Sequence, residues 1–152
     1  ISSLTPNQIA DFRKSVGIVF QDFKLIPDIT IFENIALPLV IQKKSTAEIK
    51  KSVLDIAERF NLIEYLNDYP EHISGGQQQK SAVARALITN PELIIADEPT
   101  GNLDPQNSSE TLQILATYAE KGALILVATH DQSLLSQYSN QVLTLNKGQL
   151  NP

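Results

Sequence analysis

Ile73-Ser74-Gly75-Gly76-Gln77-Gln78-Gln79-Lys80, followed by Leu93-Ile94-Ile95-Ala96-Asp97-Glu98-Pro99-Thr100-Gly101-Asn102-Leu103-Asp104, is the most informative segment of the chain. Its first part opens a helix on a glycine pair. Its second part is a short apolar strand ending in adjacent carboxylates. Glycines at a helix start let backbone amides approach an anion, and the helix dipole favours negative charge there. A carboxylate where a buried strand emerges can hold a hard cation, and its neighbour can accept a proton from attacking water. In that order the elements read as a nucleotide site, one holding phosphate and the next serving magnesium and a water. The glycines are Gly17, Gly75, Gly76, Gly101, Gly122 and Gly148, so the chain contains no G-x-x-x-x-G-K-[ST] phosphate loop.

Composition sets the outer bounds. The chain has 152 residues, enough for one domain with a real core. Its net charge of −5 argues against a general nucleic-acid binder, because phosphate backbones select basic faces. With no cysteine there is neither a disulfide nor a thiolate metal site, which fits a reducing compartment. The longest apolar runs, Ile35 to Ile41 and Ala123 to Ala128, are too short to span a bilayer, and no signal peptide is visible. The chain also has no methionine, and is expected to be a piece of something longer.

Outward from the opening stretch, local patterns predict the elements. Val16 to Phe20 is a short buried strand leading into Gln21-Asp22, and Pro27-Asp28 marks a turn. Ile31 to Gln42 reads as a helix that Pro38 should kink or interrupt. Ser45-Thr46-Ala47-Glu48 is a capping box, followed by Ile49, Val53, Ile56, Ala57 and Phe60 on one helical face. A helix is expected over Gln77 to Thr89. Leu93 to Ala96 is continuously apolar, as in a strand covered on both faces. Asp104-Pro105 caps and opens a helix toward Glu120, which Gly122 ends. Ala123 to Thr129 reads as a second buried strand, Asp131 to Gln137 as a short helix, and Val142 to Leu145 as a final strand before an Asn146-Lys147-Gly148 turn. Alternation of strand and helix predicts an α/β fold with a parallel sheet and crossover helices. The region from about 27 to 87 is mostly helical and is expected to be a lobe set on that sheet, with 88–152 as the core α/β portion.

The motifs and their order resemble the ATPase domain of ABC transporters, over essentially the whole chain. Ile73-Ser74-Gly75-Gly76-Gln77 is similar to the family's signature sequence, with Ile73 in place of the usual leucine. Lys80 stands where many members have arginine, which keeps the charge but loses bidentate geometry. The resemblance implies a P-loop NTPase-type parallel sheet with an inserted helical lobe, N-terminally truncated so that the strand and phosphate loop are missing. It implies ATP and Mg²⁺ as cofactors. By resemblance Glu98 is the general base, Asp97 serves Mg²⁺, and Gln21 is the Q-loop glutamine that contacts the metal and its water. His130 is similar to the switch histidine that contacts the γ-phosphate. Ser74, Gly75, Gly76 and Gln77 would serve the ATP held by a partner subunit. Asp104 resembles the D-loop aspartate, and a helix N-cap explains it equally well. Taken alone, Gln21 reads as a solvated loop residue and His130 as a polar strand-end histidine, and His72 remains a loop residue.

Gln21-Asp22-Phe23, Glu33-Asn34-Ile35-Ala36-Leu37-Pro38-Leu39 and Ala128-Thr129-His130-Asp131 are similar to an exporter-like branch of the family. That branch includes Fts-type cell-division, lipoprotein-releasing and macrolide-efflux ATPases, and the cell-division member is the nearest in pattern. The resemblance implies a homodimer of cassettes that docks an integral membrane permease and sits in the cytoplasm on the inner face of the membrane. Phe23, Leu25 and Ile26 are candidate permease contacts or core. A soluble ABC ATPase of translation or repair and a non-enzymatic truncated cassette are the competing readings.

Overall fold

The computed structural model describes residues 5–130, 141–146 and 148–151. Three parallel strands form its main sheet in the order β1-β2-β3: β1 Val16–Val19, β2 Leu93–Asp97 and β3 Leu124–Ala128. The register aligns Val19 with Ala96, and Asp97 with Ala128, so all three strands end at one edge. Parallel neighbours need crossover connections. The β1–β2 crossover carries α2 (Ile31–Ile41), α3 (Thr46–Arg59), two single 3₁₀ turns and α4 (Gly75–Leu87), and the β2–β3 crossover is α5 (Pro105–Glu120). A further helix, α1 (Pro6–Lys14), precedes β1.

Four helix starts are built alike. Thr5, Thr30, Ser45 and Ser74 each cap a helix, and each accepts from the third residue's amide while that residue's side chain returns to the cap amide. The arrangement satisfies donors that no helix can satisfy internally. Pro38 does not break α2, which runs unbroken from Ile31 to Ile41. The proline falls in the last turn, and the chain closes behind it with the Gln42 amide donating to the Pro38 carbonyl at 3.1 Å.

The core gathers Ile31, Ile35 and Leu39 of α2, Val53, Ile56 and Ala57 of α3, Val83 and Leu87 of α4, and Leu112 and Leu115 of α5 against Val19, Ile94 and Ala96 of the sheet. Helix α4 is pressed onto β1 so closely that a Cβ on Gly17 would lie 2.4 Å from the Ala86 carbonyl oxygen. Glycine is the residue that permits such an approach.

Two expectations need correction. Among the described residues, the strands β2 and β3 are covered on one face. Ile18, Ile95 and Leu126, aligned across the sheet, are 43%, 37% and 53% exposed, because the helices described pack on the opposite face. Nor is the segment after Val142 a lone final strand. Thr144–Asn146 (β4) pairs antiparallel with Gln149–Asn151 (β5) in a hairpin separate from the main sheet. The helix expected over Asp131 to Gln137 lies outside the described residues.

Candidate active site

Open α/β sheets present ligand sites beyond the carboxyl ends of their strands. Here that edge brings together Gln21 after β1, Asp97 and Glu98 at the end of β2, and Thr129 and His130 after β3. Glu98 is the best fixed of these. Its amide donates to the Ala128 carbonyl at 2.9 Å, and its φ of 46° places a non-glycine residue in the left-handed region. Such a conformation costs about 1–3 kcal/mol and collects at functional sites. One carboxylate oxygen accepts from Thr129 Oγ1 at 3.0 Å. The other accepts from the His130 amide at 3.0 Å and lies 2.7 Å from His130 Nδ1. Burial pushes the Glu98 carboxyl up, but the bonds from His130 and Thr129 outweigh it and hold the group below its ordinary 4.5. At neutral pH Glu98 is therefore an ionised acceptor. Thr129 was not singled out from the sequence, although a hydroxyl residue directly before His130 was the available signal.

Asp97 and Gln21 are exposed at the same edge. Among the described residues no three acidic or imidazole groups cluster as a closed metal cage. An exposed carboxylate oxygen is nevertheless the donor that Mg²⁺ takes, since this ion usually binds through one or two carboxylates with waters and phosphate oxygens completing its shell. Asp97 fits that role.

A second group forms around the start of α4. Ser74 Oγ accepts from the Gln77 amide at 3.3 Å, and Gln77 Oε1 accepts from the Ser74 amide at 2.7 Å. The helix thus begins at Gly75, two residues before the expected Gln77. A Cβ on Gly75 would meet nothing within 4 Å, whereas one on Gly76 would press on Leu103 at 3.4 Å. Ser74, Gly76, Gln77 and Asp104 line one cleft of about 410 Å³, together with Tyr65, Lys80 and Asn107. Asp104 is the N-cap of α5, and the Asn107 backbone amide, then its side-chain amide, hold its carboxyl below the ordinary range. Lys80 bonds Asn107 Oδ1, which ties α4 to the start of α5. The sequence residues thus fall into two sets: Gln21, Asp97, Glu98 and His130 at the strand edge, and Ser74, Gly76, Gln77 and Asp104 in the cleft, with Gly75 exposed at the helix start beside it.

Comparison with known proteins bears on what these sets belong to. The family model described as "ABC transporter" matches residues 2–101. "Cell division ATP-binding protein FtsE" of Bacillus subtilis (strain 168) is 36% identical over 148 residues, covering 97% of this chain and 65% of the relative. The protein of the same name from Streptococcus pneumoniae is 40% identical over 138 residues, covering 91% and 60%. "Methionine import ATP-binding protein MetN 1" of Staphylococcus aureus is 36% identical over 151 residues, covering 99% and 44%. The chain therefore spans about two thirds or less of the length of these relatives. Among solved structures, the dimeric ATP-binding cassette MJ0796 in a post-hydrolysis state bound to ADP and Pi superposes with a TM-score of 0.90 at 34% identity, over 99% of this chain and 67% of that one. The α/β sheet with its inserted helices is the fold of that cassette. Among the described residues no helix is long and apolar enough to cross a membrane. On fold, motif order and family match together, this chain belongs to the ABC transporter family.

Proposed function

We propose that the full-length protein is an ATP-hydrolysing subunit of an ABC-type complex, working as a homodimer of cassettes that drives an integral membrane permease. Residues 27–87 form its helical lobe and 88–152 its core portion. Glu98 is the general base, and the observation that carries this role is its ionised carboxylate, fixed at the strand edge by Thr129 and His130. It accepts the proton of the attacking water, and His130 holds the carboxylate in place while its exposed ring faces the γ-phosphate. Gln21 orients the water. Mg²⁺, when bound, would neutralise phosphate charge, and the Asp97 carboxylate would supply a protein oxygen to hold it. Ser74, Gly75, Gly76 and Gln77, with Asp104 beside them, serve the ATP of the partner subunit through the open start of α4.

Within the family, the FtsE relatives from two bacteria support a cell-division role, in line with the motifs of the exporter-like branch. The methionine-import relative supports an importer as the second reading. Co-purification of the full-length protein with the permease encoded beside it separates the two. The chemistry is tested by Glu98→Gln in the full-length protein. Losing a general base costs about 10²–10⁴-fold in rate, so hydrolysis should collapse while ATP binding survives and an ATP-dependent dimer persists on size exclusion. Near-normal turnover in this variant would mean that another group activates the water.

A further inference from the structure

The turn that follows β1 carries a strain that one distant side chain compensates. Phe23 and Lys24 both adopt left-handed φ, 61° and 48°, although neither is glycine. The Phe23 amide donates to the Phe20 carbonyl at 3.1 Å, closing a turn that contains Gln21, and the Lys24 amide donates to the Asp22 carbonyl at 2.6 Å while Lys24 Nζ pairs with Asp22 at 2.5 Å. Two successive left-handed residues are unfavourable in isolation. What they achieve is to turn both carbonyls the same way, onto Arg85. Arg85 Nη2 donates to the Phe23 carbonyl at 2.7 Å and Nη1 to the Lys24 carbonyl at 2.7 Å. A guanidinium reaches two acceptors in a fixed fork, which an ammonium cannot do.

Arg85 lies near the end of α4, the helix that Ser74 caps. Farther along the loop, the buried side chain of Asn34 accepts from the Ile26 amide at 2.7 Å and donates to the carbonyls of Ile26, Ile29 and Thr30. Asn34 fixes the far half of the loop, and among the described residues Arg85 is the distant side chain bonded to the half that holds Gln21.

We infer that Arg85 is a positioning residue for Gln21, gripping the strained turn so that Gln21 keeps a fixed place relative to α4. The inference rests on the proposed role of Gln21 in hydrolysis. In the full-length protein, Arg85→Lys keeps the charge and loses one of the two bonds. It should lower kcat roughly tenfold, the scale of one charge-assisted hydrogen bond, with KM for MgATP little changed. Because Arg85 acts through Gln21, the double variant Gln21→Ala with Arg85→Lys should have the kcat of Gln21→Ala alone, within about twofold. Multiplied losses in the double variant would overturn the assignment.

Amide hydrogen exchange gives a readout independent of activity. Faster exchange in Arg85→Lys should be confined to residues 20–26, while α4 keeps its protection. Uniform loosening of the lobe would reduce Arg85 to a packing residue and sink the inference. Where lysine costs the fold, Arg85→Gln, which keeps a donor without charge, takes the same two tests. A wild-type protein that fails to hydrolyse ATP would sink the proposed function, and the exchange pattern would still decide the grip. Hydrolysis with additive variants sinks the grip alone.

Discussion

Around helices α2 and α3, Ile31, Ile35, Val53, Phe60 and Leu62 are each at most 1% exposed, whereas Leu124 and Leu126 of β3 are 68% and 53% exposed. Both regions carry large aliphatic side chains, and they differ in enclosure. In the lobe, α2, α3 and α4 lie within one stretch of chain and pack on each other from several sides. The sheet draws its strands from three separate stretches, and the helices described reach only one of its faces. Apolar content therefore states that a segment has a buried side to offer, and the neighbours decide whether that side is used.

The closed packing around α2 and α3 is tested most directly at Phe60. Phe60→Ala removes a ring that is 1% exposed. It should cost about 3–5 kcal/mol, read as a lowered denaturant midpoint. A loss below about 1 kcal/mol would mean that the lobe core collapses around the gap and is not closed as described. A smaller effect is expected at a helix start. Ser45→Ala removes the hydroxyl that both accepts from the Glu48 amide and bonds its carboxylate. The Ser45 hydroxyl, then its amide, hold the Glu48 carboxyl below its ordinary 4.5. A depressed carboxyl stabilises fully above its unfolded value and ceases to do so as pH falls through the folded one. The midpoint difference between wild type and Ser45→Ala should therefore be present at neutral pH and shrink in acid below 4.5. A difference that grows in acid would contradict the assigned bond. The smallest effect belongs to the sheet. Leu126→Ser on the exposed row should leave stability of this 152-residue chain within about 0.5 kcal/mol of wild type and reduce its binding of a hydrophobic dye. A multi-kcal loss would show that this face is covered, and the contrast would vanish.

What was legible in the sequence follows the same division between local and non-local causes. Ser45-Thr46-Ala47-Glu48 and Asp104-Pro105 specify helix starts within four residues, and α3 and α5 begin where they indicate. Thr5-Pro6-Asn7-Gln8 uses the same grammar and went unread, because α1 buries no residue and so shows no apolar period. The strands were legible from their apolar runs, but their coverage was not. Period reports which side chains share a face and is silent about what meets that face. At the candidate site, the positions of Glu98 and His130 at neighbouring strand ends were legible from motif order. The grip of Arg85 and the latch of Asn34 did not, since both act on backbone carbonyls, and any residue supplies a carbonyl.

Gly17 shows how a single contact restricts sequence space. Any side chain there collides with the Ala86 carbonyl and with Pro91 Cγ at 3.0 Å, and neither is the flexible tip of a long side chain. A saturation library at position 17, selected for folded protein, should return glycine almost alone, while Gly75, with open space around it, admits substitutions on steric grounds. Selection for folding alone is thus strict at the crowded Gly17 and permissive at Gly75, so tolerance of these two glycines in such a library measures packing.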